Sequence, residues 1–479
     1  MSTKKLLIKG VSYTALANYS GLFFSLIISA ILARLLSPSD FGVVAIAMVF
    51  IAFFSLLSDA GIAPAIIQFK KLTKEDISSI FGFTFWLGIV LSAIFFTVSN
   101  WIAKFYEKDI LINICRVLSI QIFFGTLNIV PNALLLKEKR FDIIAYRRIS
   151  IQISCGILAI VAAFHGIGIY ALLIAPVLGI AIEFIVNVYY STIKIDFWFN
   201  FQAIRQIFSF SVFQFSFNFI NYFGRNLDKL IIGKSINLTQ LGYYDKSYRL
   251  MMLPIQNITG IISPVLHPIL SDYQKSPNVI YDAYIRLTDL LANIAFPVAV
   301  ILFFTANELI LLIFGSQWGE AVLPFKILSV TVALQIPTVM SGAILQSMYK
   351  TKILFILGTL NVVISAIGLF IAIYFFTTIK AVCIAFVFTY FISFINIFWI
   401  INQYAFHKKI SIVLKIFFMP FLCYTIQFLL LHFLSIYLIN VSLWLSLSIK
   451  IGIWAILTFL YFQILFVLLQ LQFSKKTND

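Results

Sequence analysis

Apolar residues gather in about fourteen stretches, each roughly 20 residues long, the length an α-helix needs to cross a ~30 Å hydrocarbon core. The stretches lack the two-residue alternation of barrel strands, so the pattern predicts helices that satisfy their own backbone hydrogen bonds in lipid. The expected spans are 11–33, 41–67, 80–103, 112–136, 145–165, 168–190, 207–233, 243–271, 290–313, 321–348, 353–376, 379–403, 412–434 and 443–470. Polar residues interrupt them only in short runs, the largest at 190–206 and 272–289. The fold class expected is therefore an all-α, polytopic membrane protein.

An internal repeat organises the spans. Shifting the chain by 210 residues aligns 111–190 with 321–400 without a gap, with about 15 identities in 80 positions against roughly 7 expected from so apolar a composition. Arg116 then faces Lys326, and Ala171, Ile174 and Ala175 face Ala381, Ile384 and Ala385. A looser echo sets Arg34-Leu35-Leu36 and Phe41-Gly42 beside Lys229-Leu230-Ile231 and Leu241-Gly242. Six spans separate the copies, so they share one orientation, as in transporters built from parallel repeats. The expected organisation is a six-helix lobe over 1–190, a cytoplasmic linker over 191–206, a second six-helix lobe over 207–403, and a final helix pair with tail over 404–479.

Composition supports lipid as the solvent. The chain is 62% hydrophobic and 11% charged, with mean hydropathy +1.03. The net charge of +16 invites a nucleic-acid reading, but Lys and Arg collect in alternate loops. Lys4, Lys5 and Lys9 are followed by Lys70, Lys71 and Lys74, then by Lys137, Lys139, Arg140, Arg147 and Arg148. Later groups are Lys194 with Arg205, Lys275 with Arg286, Lys350 with Lys352, Lys408 with Lys409 and Lys415, and Lys475 with Lys476. By the positive-inside rule these loops and both termini are cytoplasmic, and no nucleic-acid partner is expected. The basic start precedes an apolar run too long for a signal peptide, so it reads as a retained first span. Cys115, Cys155, Cys383 and Cys423 lie in or beside spans without metal-ligand spacing, so buried thiols are expected and no metal site.

Charges inside spans carry the candidate chemistry, because each costs several kcal/mol at the bilayer centre unless it faces protein or a wet cavity. The seventh span holds Arg225, Asp228 and Lys229 three to four residues apart, on one helical face, with Asn218, Asn221 and Asn226 nearby. The eighth opens with Asp245, Lys246 and Arg249 among Tyr243, Tyr244 and Tyr248. Arg34, Arg116 and Lys326 sit toward outer span ends, and Asp59, Glu183 and Lys450 stand alone. A cationic cavity lined by amides and phenols, the expected setting of these charges, suits a phosphate- and sugar-bearing substrate; a cationic drug would prefer an acidic one. Helix-end charges that snorkel or pair with each other are the plainer alternative. The 52 phenylalanines fit lipid-facing packing, and the seven tryptophans lie mostly near span ends. None of His165, His267, His407 and His432 is expected to be a ligand.

No GxxxxGK[ST], HExxH or GxSxG motif occurs. No cofactor is expected, and any active transport would draw on an ion or substrate gradient.

Three stretches carry a family resemblance: Ala33-Arg34-Leu35-Leu36-Ser37-Pro38-Ser39-Asp40-Phe41-Gly42, Arg225 through Gly233, and Leu241 through Pro254. They resemble polysaccharide-export flippases of the Wzx type, within the multidrug/oligosaccharidyl-lipid/polysaccharide exporter superfamily. The likeness extends over nearly the whole chain. It implies a V-shaped pair of lobes that moves undecaprenyl-diphosphate-linked oligosaccharide across a bacterial inner membrane by alternating access, for lipopolysaccharide or exopolysaccharide synthesis. Ion antiport, a polysaccharide polymerase and a chain-length regulator belong to the same expectation. The headgroup cations expected are Arg34, Arg116, Arg225, Lys229, Lys246, Arg249 and Lys326, with Asp59 and Asp228 as ion-coupling candidates. The rival readings are a multidrug cation antiporter of the same fold and a membrane glycosyltransferase or polymerase; the flippase reading makes the chain a transporter and not an enzyme.

Overall fold

A computed structural model of the chain describes residues 3–59, 61–69, 72–191, 193–274 and 276–476. Lys70, Lys71 and Lys275 lie outside the described residues, as do the side chains of Lys4, Lys5, Lys9, Asn218, Asn221, His267, Lys475 and Lys476. Packing divides the chain into two compact units, 1–242 and 243–479.

The first unit contains α1 (Thr3–Leu35), α2 (Pro38–Asp59), α3 (Ile62–Gln68), α4 (Lys74–Tyr106), α5 (Ile110–Leu127), α6 (Ile129–Lys137), α7 (Phe141–Phe164), α8 (Ala171–Tyr190), α9 (Phe201–Ser235) and the first turn of α10 (Leu238–Ser271). The second holds the rest of α10, then α11 (Pro277–Phe304), α12 (Ala306–Phe314), α13 (Val322–Gln335), α14 (Ser341–Ser347), α15 (Thr351–Phe376), α16 (Ile379–Ile400), α17 (Ile410–Tyr437) and α18 (Leu443–Lys476). Each expected span coincides with helix among the described residues. Among the described residues, twelve helical segments are long and apolar enough to cross a membrane. The seventh and eighth spans, α9 and α10, are 35 and 34 residues long and carry Arg225, Asp228 and Lys229, and Asp245, Lys246 and Arg249. The chain is a multi-pass membrane protein.

Local chemistry sets several boundaries. Thr73 and Asp76 form a reciprocal capping box that starts α4. Gly61, at φ 82°, parts α2 from α3 inside the second span, and Ile62, Ala65 and Ile66 then pack on Ile80, Phe81, Val130 and Ala133. The ninth span begins earlier than the pattern suggests. Residues 277–289 are helical, because Ile280, Tyr281, Tyr284, Thr288 and Leu291 bury one face at helical spacing while Asp282 and Arg286 stay exposed on the other. Residues 191–206, expected as a linker, include the residues between α8 and α9; α9 lies on α2, α3 and α4, and the first unit by packing runs to Gly242.

The repeat survives in the detail of the packing. Leu111, Ile114, Cys115, Leu118 and Ser119 are buried in one unit, and Ala321, Pro324, Phe325, Leu328 and Ser329 are buried in the same order in the other. Lys139 and Tyr349, 210 residues apart, both adopt positive φ, at 58° and 54°. The looser echo needs a different register from the one expected. Helix α1 ends at Leu35 and α9 at Ser235, while α2 starts at Pro38 and α10 at Leu238. Arg34 therefore corresponds to Lys234 rather than Lys229, because the helix ends, not the similar residues, fix the alignment. Both starts are capped alike: Asp40 N–H donates to Ser37 Oγ at 3.2 Å, and Gln240 N–H to Asn237 Oδ1 at 2.8 Å.

These two starts touch reciprocally. A Cβ on Gly42 would fall on the Leu238 carbonyl oxygen, and one on Gly242 on the Pro38 carbonyl oxygen. Only glycine lets two backbones approach so closely.

The last two helices lie outside the repeat, and their polar residues explain how they dock. Ser446, Lys450, Trp454 and Tyr461 follow one stripe of α18. Ser446 Oγ donates to Glu308 Oε1 at 2.6 Å, and Lys450 Nζ reaches the same oxygen at 2.5 Å and Phe304 O at 3.0 Å. Both members of this ion pair are buried. Trp454 Nε1 donates to Pro297 O at 2.8 Å and Tyr461 OH to Asn293 Oδ1 at 2.5 Å. Pro297 lacks the N–H that would bond Asn293 O, and Tyr424 OH on α17 approaches that carbonyl at 3.5 Å.

Gly242→Ala is expected to lower the stability of the detergent-solubilised protein by about 1–3 kcal/mol through overpacking. Gly452→Ala, in open space on α18, should be neutral or gain up to about 1 kcal/mol; thermal unfolding of both variants checks the contrast. Lys450→Met, leaving Glu308 buried without its cation, should cost about 3–5 kcal/mol, and adding Glu308→Leu should restore most of it. A double-mutant cycle of melting temperatures reads the recovery.

Candidate functional site

The residues expected to meet the substrate fall into three kinds of environment. Arg34, Arg225 and Arg249 are exposed. Arg225 lies on α9, whose Tyr222 OH donates to Val49 O at 3.0 Å and so fixes that helix against α2. Further along, Tyr106 OH donates to Leu230 O at 3.3 Å, and Ile232 is fully buried. Asp228 is buried and Lys229 half-buried on the same stripe. The amide of Asn226 donates to Tyr222 O at 2.9 Å, inside its own helix. Arg249 is held from one turn away: its Nε sits 2.7 Å from Asp245 Oδ2, with the Asp245 side chain buried and that of Arg249 62% exposed. The pair aims a fixed guanidinium outward from α10.

Arg116 and Lys326 form the second kind. Each is half-buried over an aromatic ring of the preceding span: Arg116 lies 4.9 Å from the Phe96 centroid and Lys326 4.6 Å from that of Phe303. Arg116 also donates to Asn100 Oδ1 at 3.3 Å. The repeat thus conserves a cation over a ring within the one chain, an interaction that strengthens as water is removed.

Lys246 and Asp59 are the third kind. Lys246 is buried, with Nζ 5.2 Å from the Phe314 centroid and 5.9 Å from that of Trp318, a structural setting rather than an outward-facing one. Trp318 itself is fully buried, unlike the exposed Trp86, Trp101, Trp198 and Trp444. Asp59 ends α2, and its Oδ1 accepts the Ala63 N–H at 3.3 Å across the Gly61 break. Lys234, the true counterpart of Arg34, pairs with Glu107 at 2.9 Å and lies 5.1 Å from the Phe105 ring centroid. The bond and charge of Lys234 hold the Glu107 carboxyl below its ordinary value. This exposed link is present at neutral pH and is lost as pH falls through that lowered value.

One polar network escaped the sequence pattern. Arg147 lies within the second turn of α7, not in the loop before it, with its side chain buried and 2.8 Å from Glu183 Oε1 on α8. It also donates to Asn187 Oδ1, and Asn187 Nδ2 donates to Asn128 Oδ1 at 2.6 Å. Asn128 marks the break between α5 and α6, so the network joins three spans there. The available signal was the Glu183–Asn187 spacing of four, which puts an acid and an amide on one helical face. Elsewhere, an apolar groove of about 730 Å³ runs between α15 and α16, walled by Ile367, Ile371, Ile384 and Phe388 with Lys380 at one end. Its walls suit a hydrocarbon chain and not a sugar. Among the described residues no group of three or more His, Cys, Asp or Glu could hold a metal ion.

The teichuronic acid biosynthesis protein TuaB of Bacillus subtilis is 24% identical over 375 residues, 78% of this chain and 77% of TuaB. The lipopolysaccharide biosynthesis protein WzxC of Escherichia coli is 24% identical over 345 residues, covering 69% of this chain and 68% of WzxC. Among solved structures, the lipid II flippase MurJ in an inward closed conformation matches with a TM-score of 0.72 at 14% identity, over 95% of this chain and 100% of that one. An inward-facing multidrug resistance MATE family transporter of the MOP superfamily matches with a TM-score of 0.64 at 17% identity, over 82% and 96%. At such identities the solved structures establish the transporter fold alone. A family model described as polysaccharide biosynthesis protein matches residues 31–323. With more than half its length matched by that model, the chain belongs to the polysaccharide biosynthesis protein family.

Proposed function

We propose that this chain moves undecaprenyl-diphosphate-linked oligosaccharide units across the bacterial inner membrane by alternating access, as a transporter and not an enzyme. The observation that carries the reading is the set of exposed arginines on spans that belong in lipid. Arg34, Arg225 and Arg249 present planar donors suited to a diphosphate, and Arg249 is held ready by buried Asp245. Exposed arginines would cost free energy against hydrocarbon, which an anionic headgroup and its water relieve. Lys229 and the ring-seated Arg116 and Lys326 add positive potential, while buried Lys246 supports the helix from which Arg249 projects. The alternating basic loops favour cytoplasmic termini, so the headgroup would be taken from the cytoplasmic leaflet. A polymerase and a chain-length regulator are the partners that would receive the unit.

A multidrug cation antiporter shares the fold, and the MATE likeness favours that rival. The sign of the exposed charge disfavours it, since a cationic drug gains nothing from arginines.

Arg225→Ala combined with Arg249→Ala is expected to lower flipping of a lipid-linked oligosaccharide in proteoliposomes by about tenfold or more, each lost charged hydrogen bond being worth about 1.5–3 kcal/mol. Efflux of cationic dyes should be negligible in both proteins. Unchanged flipping in the double variant would remove the arginines from the substrate path.

A further inference from the structure

Asp289 has no place in the substrate reading, yet it stands where a carboxylate is expensive. It lies 12 residues into the 28-residue helix α11, about 18 Å along a helix of about 42 Å. Two other carboxylates of these spans are matched by cations: Glu308 by Lys450 and Glu183 by Arg147. Half-buried Asp289 instead accepts from a neutral amide. Asn293 Nδ2 donates to Asp289 Oδ1 at 3.1 Å and to Asp289 O at 2.8 Å.

The surroundings are rich in oxygen and poor in positive charge. Asn293 Oδ1 accepts from Tyr461 OH on α18. Tyr424 OH on α17 reaches Asn293 O, the carbonyl that Pro297 leaves without a helical donor. Tyr424 and Tyr461 rings meet edge to face at 5.2 Å. The titratable neighbours are therefore Tyr424 and Cys423 from α17 and Tyr461 from α18. Arg286, one turn away on α11, is exposed and makes no ion pair with Asp289. Among the described residues, the other charges of elements packed on α11 are engaged elsewhere or exposed: Lys326 of α13 is over Phe303, Glu308 of α12 is with Lys450, Lys408 is over the Tyr281 ring, and Lys415 of α17 is exposed. In α4, the third span, no carboxylate follows Asp76 before Glu107, so the cluster belongs to one copy only.

We propose that Asp289, with Asn293, Tyr424 and Tyr461, binds a monovalent cation, a proton or a sodium ion, and ties its occupancy to the docking of α17 and α18 on α11. A proton would go to an Asp289 carboxyl oxygen; a sodium ion would take that oxygen together with amide, phenol or main-chain oxygens. Either one neutralises the carboxylate, which has no cation partner among the described residues. The site deepens the transport reading by naming a coupling ion and rests on that reading for its purpose. Its binding chemistry stands apart.

The test therefore uses the full-length protein in detergent without substrate. Melting temperature is followed against pH in sodium-free buffer, and against sodium chloride at fixed pH with choline chloride matching ionic strength. The wild type should respond in one arm, by about 3 °C or more near saturation. A pH response identifies the proton and a sodium response the metal ion. Asp289→Asn, equal in size and neutral, should abolish that response, and Tyr461→Phe, which keeps the ring, should reduce it. A wild type that responds in neither arm, or an Asp289→Asn protein that keeps the full response, overturns the proposal. If Asp289→Asn does not fold, an unaltered response in Tyr461→Phe overturns it. Glycan flipping is not read here, so failure of the transport reading would show separately, in the Arg225/Arg249 assay.

Discussion

Hydrocarbon offers no water to a buried charge, and the need to match each one decides which helices of this chain pair. Lys450 and Glu308 show the rule at its strictest: two ions, nearly excluded from solvent, lie 2.5 Å apart and share further hydrogen bonds with Ser446 and Phe304. Removing either alone strands the other, whereas removing both together exchanges them for ordinary packing. Such a pair specifies where α18 sits rather than adding much net stability. Arg147 and Glu183 do the same for α7 and α8.

Where no acid is at hand, aromatic rings take over. Arg116 on Phe96 and Lys326 on Phe303 are the repeated form of this solution. The repeated solutions hold the shared scaffold, while the unrepeated ones distinguish the two copies. Arg147 with Glu183 marks the first unit, and Asp289 with Asn293 the second. These clusters are where the two similar halves differ in buried polar chemistry.

Span positions were legible because a membrane imposes a length, and the 210-residue repeat because cation and small residues kept their register. The four cysteines are free, three of them buried. The ninth span was misjudged at its start, since Tyr281, Tyr284 and Thr288 bury a polar-looking face that hydropathy discounts. The correspondence of Arg34 with Lys234 was hidden by the more similar Lys229, because composition records likeness while helix ends record position. Lys450 looked isolated for another reason: its partner lies 142 residues away in sequence, and pairing over such a separation leaves no local trace. The candidate cations were all visible as charges in apolar runs. Which face outward and which are seated on rings depends on neighbouring helices, so sequence alone treated them as equals.

The reciprocal contact of Gly42 with Leu238 and Gly242 with Pro38 has the form of an isologous interface, in which one patch meets its own likeness. Two separate, identical chains could make such a contact as readily as two segments of one. The helix starts at Pro38 and Leu238 thus preserve a geometry compatible with a dimer of half-length ancestors, later joined end to end. Each copy can change alone within one chain, yet at this crossing neither glycine has room for even a methyl group.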